Sequence, residues 1–124
     1  MIPEKDNSIP LYTEERPWGY FAVLEEGEGY KVKKIFVEPF QRLSLQFHNH
    51  RDENWVVVKG ISTLICGETK KDLKVGENMF ITRKTLHRIE NNTESEVIII
   101  EVQTGDYLGE DDITRVEDDY SRLA

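Results

Sequence analysis

Hydrophobic and polar residues alternate in short runs along this chain, and turn residues separate the runs. Residues 30–37 (YKVKKIFV) and 43–50 alternate, whereas 97–102 (VIIIEV) is apolar almost throughout. Alternation with a period of two is typical of half-buried strands, and a short continuous apolar run indicates a central strand. We therefore predict strands at 20–24, 30–37, 43–50, 55–58, 61–66, 73–75, 79–82, 87–90 and 97–102.

The even spacing of these strands constrains the fold. Turn signals such as Gly60, Gly67 and Gly76 divide the chain at intervals of roughly 8 to 12 residues, which is typical of β-sandwiches and barrels. We predict one all-β domain over residues 1–124, a jelly-roll barrel. Residues 104–124 form an acidic extension that is expected to pack on the barrel, either as a short helix or as a segment wrapping the barrel's mouth.

The charge of the chain is strongly negative but uneven. The formal net charge of −8 argues against general nucleic-acid binding, because nothing offsets the repulsion from phosphates. Acidic residues concentrate from Thr104 onward. Two basic groups precede them: Lys31, Lys33 and Lys34, and then Arg83, Lys84 and Arg88. A small anion can therefore be bound by a local field that the net charge hides.

Missing sequence features narrow the class of protein further. The single cysteine, Cys66, excludes an internal disulfide framework and a cysteine-based metal cluster. No apolar run reaches the length of about 18 residues that a membrane span needs. The polar N-terminus lacks the apolar segment of a signal peptide. We expect a cytoplasmic protein without membrane or nucleic-acid partners.

One predicted strand carries polar side chains on the face expected to line the barrel's interior. Gln46, His48 and His50 alternate with Leu45 and Phe47, so the three polar residues share one face. Polar groups inside a small barrel are costly unless something satisfies them. A metal ion or a bound polar ligand is the natural partner for this face.

Two further candidate ligands lie later in the chain. Glu53 follows on the next loop return, and His87 is the only other histidine. Imidazole nitrogens and carboxylate oxygens suit zinc, iron, manganese, cobalt or nickel, whereas the amide oxygen of Gln46 is a weaker ligand. Such a set leaves coordination positions open, as in catalytic rather than structural sites.

The spacing of these residues resembles the two cupin motifs. Segment 40–60 follows Gly-x5-His-x-His-x3–4-Glu-x6-Gly, with Phe40 at the first glycine and Gln46 at the first histidine. Segment 76–91 follows Gly-x5-Pro-x-Gly-x2-His-x3-Asn, with a threonine at the proline and Lys84 at the second glycine. The resemblance implies a cupin double-stranded β-helix in which one divalent metal ion is bound by Gln46, His48, Glu53 and His87.

A second alignment takes His48 and His50 as the histidine pair of the first motif. It leaves two residues before Glu53, one fewer than the motif allows. We therefore prefer the alignment through Gln46. His50 is then expected next to the metal on the same face, as a supporting or catalytic group.

Longer strings resemble type II phosphomannose isomerase, a cupin domain often found at the C-terminus of bifunctional mannose-1-phosphate guanylyltransferases. They are RPWG (16–19), KVKKI (31–35), LSLQFHNHRDENWVVVKG (43–60), HRIEN (87–91) and IEVQTGDYLGEDDITR (100–115). The resemblance implies interconversion of mannose 6-phosphate and fructose 6-phosphate through an enediol. It also implies zinc as the metal, with manganese, cobalt, nickel or iron as alternatives, and a homodimer.

An isomerase of this kind needs a base and a stabilising cation. The base moves a proton between C2 and C1, and the candidates are His50 and Glu101. Arg115, in the string GEDDITR, is expected to stabilise the enediolate or to orient the sugar. Each has a plain alternative: Arg115 could form surface ion pairs with the acids around it, and Glu101 could be the partner of an internal arginine.

The sugar phosphate also needs cations. Lys33 shares the parity of Ile35 and Val37, which predicts an inward side chain, so Lys33 is the first choice and Arg51 and Arg88 are second choices. A solvated strand lysine and an external salt bridge of Arg88 are the alternatives. Other functions stay open for the whole chain: a non-catalytic sugar- or sugar-nucleotide-binding cupin, an iron-dependent oxygenase, or an epimerase that needs no metal.

Overall fold

The described part of the chain consists of β-strands and loops. A computed structural model describes residues 10–120, so residues 1–9 and 121–124 of the predicted domain lie outside it. The strands within this range are β1 (Tyr12–Arg16), β2 (Gly19–Gly27), β3 (Tyr30–Val37), β4 (Leu45–Phe47), β5 (Arg51–Lys59), β6 (Ser62–Cys66), β7 (Thr69–Leu73), β8 (Asn78–Ile81), β9 (His87–Glu90), β10 (Val97–Gly105) and β11 (Thr114–Glu117). Residues 10–120 therefore contain no helix that could cross a membrane.

The strands form two antiparallel sheets. One has the order β1-β2-β3-β10-β5-β8 and the other the order β11-β4-β9-β6-β7. Strand β10, the apolar run VIIIEV, lies between β3 and β5, which is the central position its composition predicts. Apolar side chains of both sheets pack into one core, including Phe21, Ile35, Val57, Leu64 and Ile99. The predicted all-β double-stranded β-helix is confirmed.

Hydrophobic patterning located some strands better than others. β3 and β9 have the predicted bounds. β1 and β11 were not predicted, because their sequences YTEER and TRVE carry no apolar alternation. β7 ends at Leu73 rather than beginning there, since TKKDL is an exposed edge strand with a single buried side chain. The described part of the acidic extension forms strand β11 and not a helix.

The strand predicted over 43–50 is shorter than expected, and this changes which residues face the interior. β4 ends at Phe47, the chain bends at residues 49 and 50, and β5 begins at Arg51. His48 is buried, residues 49 and 50 are exposed, and Arg51 is the next buried position, so the parity shifts by one residue. The His50 side chain is 54% exposed. The expectation that His50 lies beside the metal is wrong, because the bend interrupts the alternation.

Candidate metal centre and pocket

A pocket opens between the two sheets. It contains about 670 Å³ of space between protein atoms, part of it open to solvent. The predicted site residues that line it are Lys33, Gln46, Arg51, Glu53, His87, Glu101 and Arg115.

His48, Glu53 and His87 converge beside this pocket, and the last two of them line it. One ligand atom from each lies within 4.8 Å of the others. His48 Nε2 is 3.2 Å from Glu53 Oε2, and His87 Nε2 is 3.6 Å from Glu53 Oε1. The three side chains are buried. They come from the bend after β4, from β5 and from β9, so both sheets contribute to the cluster.

The hydrogen bonds of the two imidazoles fix which nitrogen of each ring is protonated. His48 Nδ1 lies 2.5 Å from the carbonyl oxygen of Asp112, and His87 Nδ1 lies 2.9 Å from that of Thr85. A carbonyl can only accept, so both Nδ1 atoms carry a proton, and in each ring Nε2 is the nitrogen directed at Glu53. His87 Nε2 is buried without a hydrogen-bond partner in the described part of the chain. A buried orphan acceptor of this kind fits a metal ion.

The protonation states of the cluster also suit a metal. Burial lowers the pKa of His87 despite the attraction of Glu53, and so favours the neutral imidazole. Burial by itself would raise the pKa of Glu53, but its hydrogen bond to His48 and the charges of His87, His48 and Arg51 hold the pKa well below its usual range. Neutral imidazoles and an ionised carboxylate are the forms that bind divalent cations.

Gln46 is placed to complete this ligand set. It lies opposite His87 in the β4–β9 ladder and lines the same pocket. Its Oε1 accepts a hydrogen bond of 2.8 Å from Ser44 Oγ. An amide oxygen has two acceptor sites, so one remains for a metal ion.

Arg51 lies buried against two of the candidate ligands. Its Nε donates to Glu53 Oε2 at 2.8 Å, and its Nη2 lies 3.2 Å from His48 Nε2. A metal ion on His48 Nε2 would replace the second contact, whereas the hydrogen bond to Glu53 can remain. Arg51 therefore orients the carboxylate and supplies positive charge to the pocket.

Glu101, on β10, is a buried carboxyl group facing the same space. Burial and the charge of Glu53 raise the pKa of Glu101 to about 8, although Lys33 and Arg51 oppose the shift. Gln103 Nε2 donates to Glu101 Oε1 at 2.9 Å. A carboxyl group whose pKa lies near neutrality can both release and accept a proton.

The predicted cations divide between the pocket and the opposite face. Lys33 is buried and faces inward as its parity predicts, and Arg115 on β11 lies opposite Gln46. Arg88 points away from the pocket, with its Nε donating to Leu43 O at 2.9 Å and its Nη1 3.6 Å from Glu117 Oε1. The structure does not support Arg88 as a phosphate ligand, because it alternates outward from His87.

Two charged residues that the sequence did not single out also line the pocket, Arg16 and Glu110. Arg16 is the last residue of β1, whose polar composition concealed the strand. Glu110 lies in segment 106–113, between β10 and β11. The strings RPWG and GEDDITR contain these residues, but no strand pattern places either of them in the pocket.

Comparisons with known proteins place the chain in a family. The family model described as mannose-6-phosphate isomerase C-terminal matches residues 5–118. Alginate biosynthesis protein AlgA of Pseudomonas aeruginosa is 42% identical over 121 residues, which is 98% of this chain and 24% of AlgA. Mannose-1-phosphate guanylyltransferase 2 of Escherichia coli O157:H7 is 43% identical over 105 residues, 85% of this chain and 22% of that protein. The chain thus spans about a quarter of the length of these relatives.

A solved structure shares the fold. An uncharacterized conserved protein with a double-stranded β-helix domain from Klebsiella pneumoniae superimposes with a TM-score of 0.68 at 19% identity, covering 92% of this chain and 90% of that one. Similarity at this level of identity shows the fold alone. Together with the match over residues 5–118, it shows that the chain is a cupin of the mannose-6-phosphate isomerase C-terminal family.

Proposed function

We propose that this chain is a metal-dependent isomerase that interconverts mannose 6-phosphate and fructose 6-phosphate through an enediol. The observation that carries the proposal is the convergence of His48, Glu53 and His87, with the Nε2 atoms of both imidazoles directed at the Glu53 carboxylate, beside a pocket lined by cations and a buried acid. Membership of the mannose-6-phosphate isomerase C-terminal family supports the same substrate class.

Gln46, His48, Glu53 and His87 would hold one divalent ion. Zinc is our proposal for the ion, and manganese, cobalt, nickel and iron are alternatives that the same donor atoms accept. Once bound, a divalent ion supplies Lewis-acid polarisation of the sugar's oxygens. The protein's contribution is the neutral imidazole that burial favours at His87 and the ionised carboxylate of Glu53, the forms that bind divalent cations.

Glu101 is the proposed proton-transfer group. The isomerisation removes a proton from one carbon and returns it to the neighbouring carbon, so one group must act as base and then as acid. Glu101 faces the pocket from β10 and its pKa of about 8 suits both steps. His50, the other candidate, is exposed outside the pocket lining.

Two cations are assigned to the substrate's negative charges. Arg115 lines the pocket beside Gln46 and is proposed to stabilise the developing enediolate. Lys33 is buried on the inward face of β3 and is proposed to bind the phosphate group. The homodimer implied by the resemblance stays a prediction, which sedimentation equilibrium of the purified chain tests.

A non-catalytic sugar- or sugar-nucleotide-binding module is the second candidate function. Binding alone requires only the pocket and its cations, without a proton-transfer group. Such a module would bind its ligand in the same pocket without turning it over.

Two measurements on the same purified sample separate the candidates. Elemental analysis determines the bound metal, and a coupled assay follows fructose 6-phosphate formed from mannose 6-phosphate. The isomerase proposal expects one equivalent of metal and turnover that a chelator abolishes and added metal restores. Metal-loaded protein that binds sugar phosphate without turnover would instead support the binding module.

A further inference from the structure

Lys33, the proposed phosphate ligand, is paired with a carboxylate of the protein itself, that of Glu110. Lys33 Nζ lies 2.5 Å from Glu110 Oε1, and Lys31 Nζ lies 3.6 Å from the same oxygen. Both lysines are buried, since β3 directs alternate side chains inward. A carboxylate oxygen thus lies between two buried ammonium groups. A small anion of suitable size can occupy the same position.

A further cation of the pocket lining contacts the same aromatic ring as Lys33. Lys33 Nζ is 4.1 Å from the centroid of the Phe21 ring, and Arg16 Cζ is 5.0 Å from that centroid. One aromatic ring therefore holds two cationic groups of the pocket wall by cation–π contact. Lys33, Lys31 and Arg16 form what we call the cation cluster. Arg16 also pairs with Glu14 and Lys31 with Glu26, but of the three carboxylates only that of Glu110 lines the pocket.

Glu110 differs from the cluster in its freedom to move. Its Oε1 is buried, yet 35% of its side chain is exposed. The backbone around it is attached independently: Leu108 O accepts from Lys31 Nζ at 2.8 Å, and the Asp112 carboxylate accepts from the amides of residues 49 and 50 at 3.0 Å. The Glu110 side chain can therefore rotate into solvent while segment 106–113 stays attached on both sides.

The pKa of Glu110 shows that the cations stabilise its ionised carboxylate. Burial acts to raise the pKa of Glu110, but the charges of Lys33, Arg51 and Lys31 outweigh it and lower the pKa. A competing anion must therefore offer more than one charge or more acceptor atoms. A phosphate monoester does both, because it is close to dianionic at neutral pH and has three terminal acceptor oxygens.

We propose that Glu110 is an exchangeable internal anion that occupies the phosphate subsite: the phosphate group of the ligand displaces its carboxylate from Lys33 and binds in the cation cluster. The inference rests on the proposed function in taking a sugar phosphate as the ligand. It adds a selectivity device, since a neutral sugar has no group that can displace Glu110. A phosphate monoester can occupy the subsite because its phosphate group replaces the Glu110 carboxylate, one anion for another.

The test measures binding rather than turnover. Trp18 and Trp55 line the pocket, so their fluorescence reports titrations with inorganic phosphate, fructose 6-phosphate and fructose at constant ionic strength. Glu110→Gln removes the competing charge, and we expect inorganic phosphate and fructose 6-phosphate to bind about tenfold more tightly. Fructose should gain nothing. Lys33→Met should weaken phosphate binding and abolish the gain in the double variant.

A matched control is available on the same lysine pair. Glu26 Oε1 lies 3.7 Å from Lys31 Nζ, but the Glu26 side chain is 45% exposed and outside the pocket lining. Glu26→Gln should leave phosphate affinity unchanged. If Glu110→Gln does not fold, Glu110→Asp shortens the side chain by one methylene and should give a smaller gain of the same sign.

Failure of this inference is distinguishable from failure of the proposed function. The inference is overturned if folded Glu110→Gln binds phosphate no more tightly than the wild-type protein, even where isomerase turnover is intact. Where only Glu110→Asp folds, the same result in that variant overturns it. The same holds if neither inorganic phosphate nor fructose 6-phosphate binds the wild-type or the variant protein. Tighter phosphate binding by Glu110→Gln in a protein that shows no turnover supports the exchangeable anion and removes only the isomerase activity.

Discussion

Phe40 and Lys84 share a left-handed backbone conformation, with φ angles of 60° and 67°, at two positions where the cupin motifs have glycine and this chain does not. A side chain in this conformation brings its Cβ close to the carbonyl oxygen and costs roughly 1–2 kcal/mol. The turns keep the geometry of the motif although the residues depart from it. At Lys84 the turn serves the site, because its backbone N–H donates to His48 O at 2.6 Å.

Replacing Lys84 by glycine should therefore stabilise the protein. We expect Lys84→Gly to raise the free energy of unfolding by on the order of 0.5 kcal/mol, since the relief of strain exceeds the added entropy of the unfolded chain. Urea unfolding measures the change. Lys84→Ala keeps the Cβ atom and should show no gain; a glycine variant no more stable than the alanine variant would contradict the strain argument.

The three histidines of the chain allow a direct test of the metal centre. His87→Ala removes a buried candidate ligand whose Nε2 has no hydrogen-bond partner. Because loss of a ligand weakens metal affinity at least about tenfold, the purified protein should contain less than a tenth of the wild-type metal. His50→Ala is the matched control, because its ring is exposed, and it should retain full metal content. Elemental analysis after equilibration with equal free metal gives both values; normal metal in His87→Ala would sink the proposed ligand set.

Arg115 and Glu101 should affect turnover without affecting metal content. Arg115→Ala is expected to lower kcat by about 10²-fold, as is usual when a group stabilising transition-state charge is removed. Glu101→Gln should lower kcat by 10²–10⁴-fold, the contribution typical of general acid–base groups. The coupled isomerase assay combined with metal analysis checks both, and a fully active Arg115→Ala protein would show that this arginine has another role.

The carboxylate of Asp112 should make stability depend on pH. Burial acts to raise its pKa, but the amides of Asn49 and His50 outweigh burial and lower the pKa below the ordinary 3.8. A lowered folded-state pKa means that the ionised group stabilises the fold above about pH 4, and that this stabilisation disappears as the pH falls through the folded-state value. We expect Asp112→Asn to cost about 1 kcal/mol at pH 7, because one of two amide hydrogen bonds is lost.

Urea unfolding of wild type and Asp112→Asn at pH 7 and at pH 3 checks this prediction, and the difference between the two proteins should shrink at the lower pH. Asp119 provides a comparison, since it also has a lowered pKa but pairs with Arg42 at the surface. Asp119→Asn should cost less, because exposed ion pairs contribute little. If the difference in unfolding free energy between wild type and Asp112→Asn grew as the pH fell, the prediction would be wrong.

The exposure of strand faces could be predicted wherever the alternation was uninterrupted. Along β3, the inward positions of Lys33, Ile35 and Val37 follow from parity alone, because successive side chains of a strand point to opposite faces. The apolar run of β10 indicated its central position for the same reason. The ligand candidates Gln46, His48, Glu53 and His87 came from spacing that resembles the cupin motifs, since such motifs record which chain separations bring side chains together in this fold.

Local pattern could not predict what bends and long-range contacts decide. The bend at residues 49 and 50 shifts the parity, so Arg51 faces the candidate metal ligands and His50 faces solvent. The ion pair between Lys33 and Glu110 joins residues 77 positions apart in separate elements, and no periodicity relates them. The sequence by itself determined the strands with uninterrupted patterns, the faces of those strands and the ligand types, because these follow from neighbours along the chain. Only the tertiary structure decided which charges meet in the pocket, because loop conformation and sheet packing set those distances.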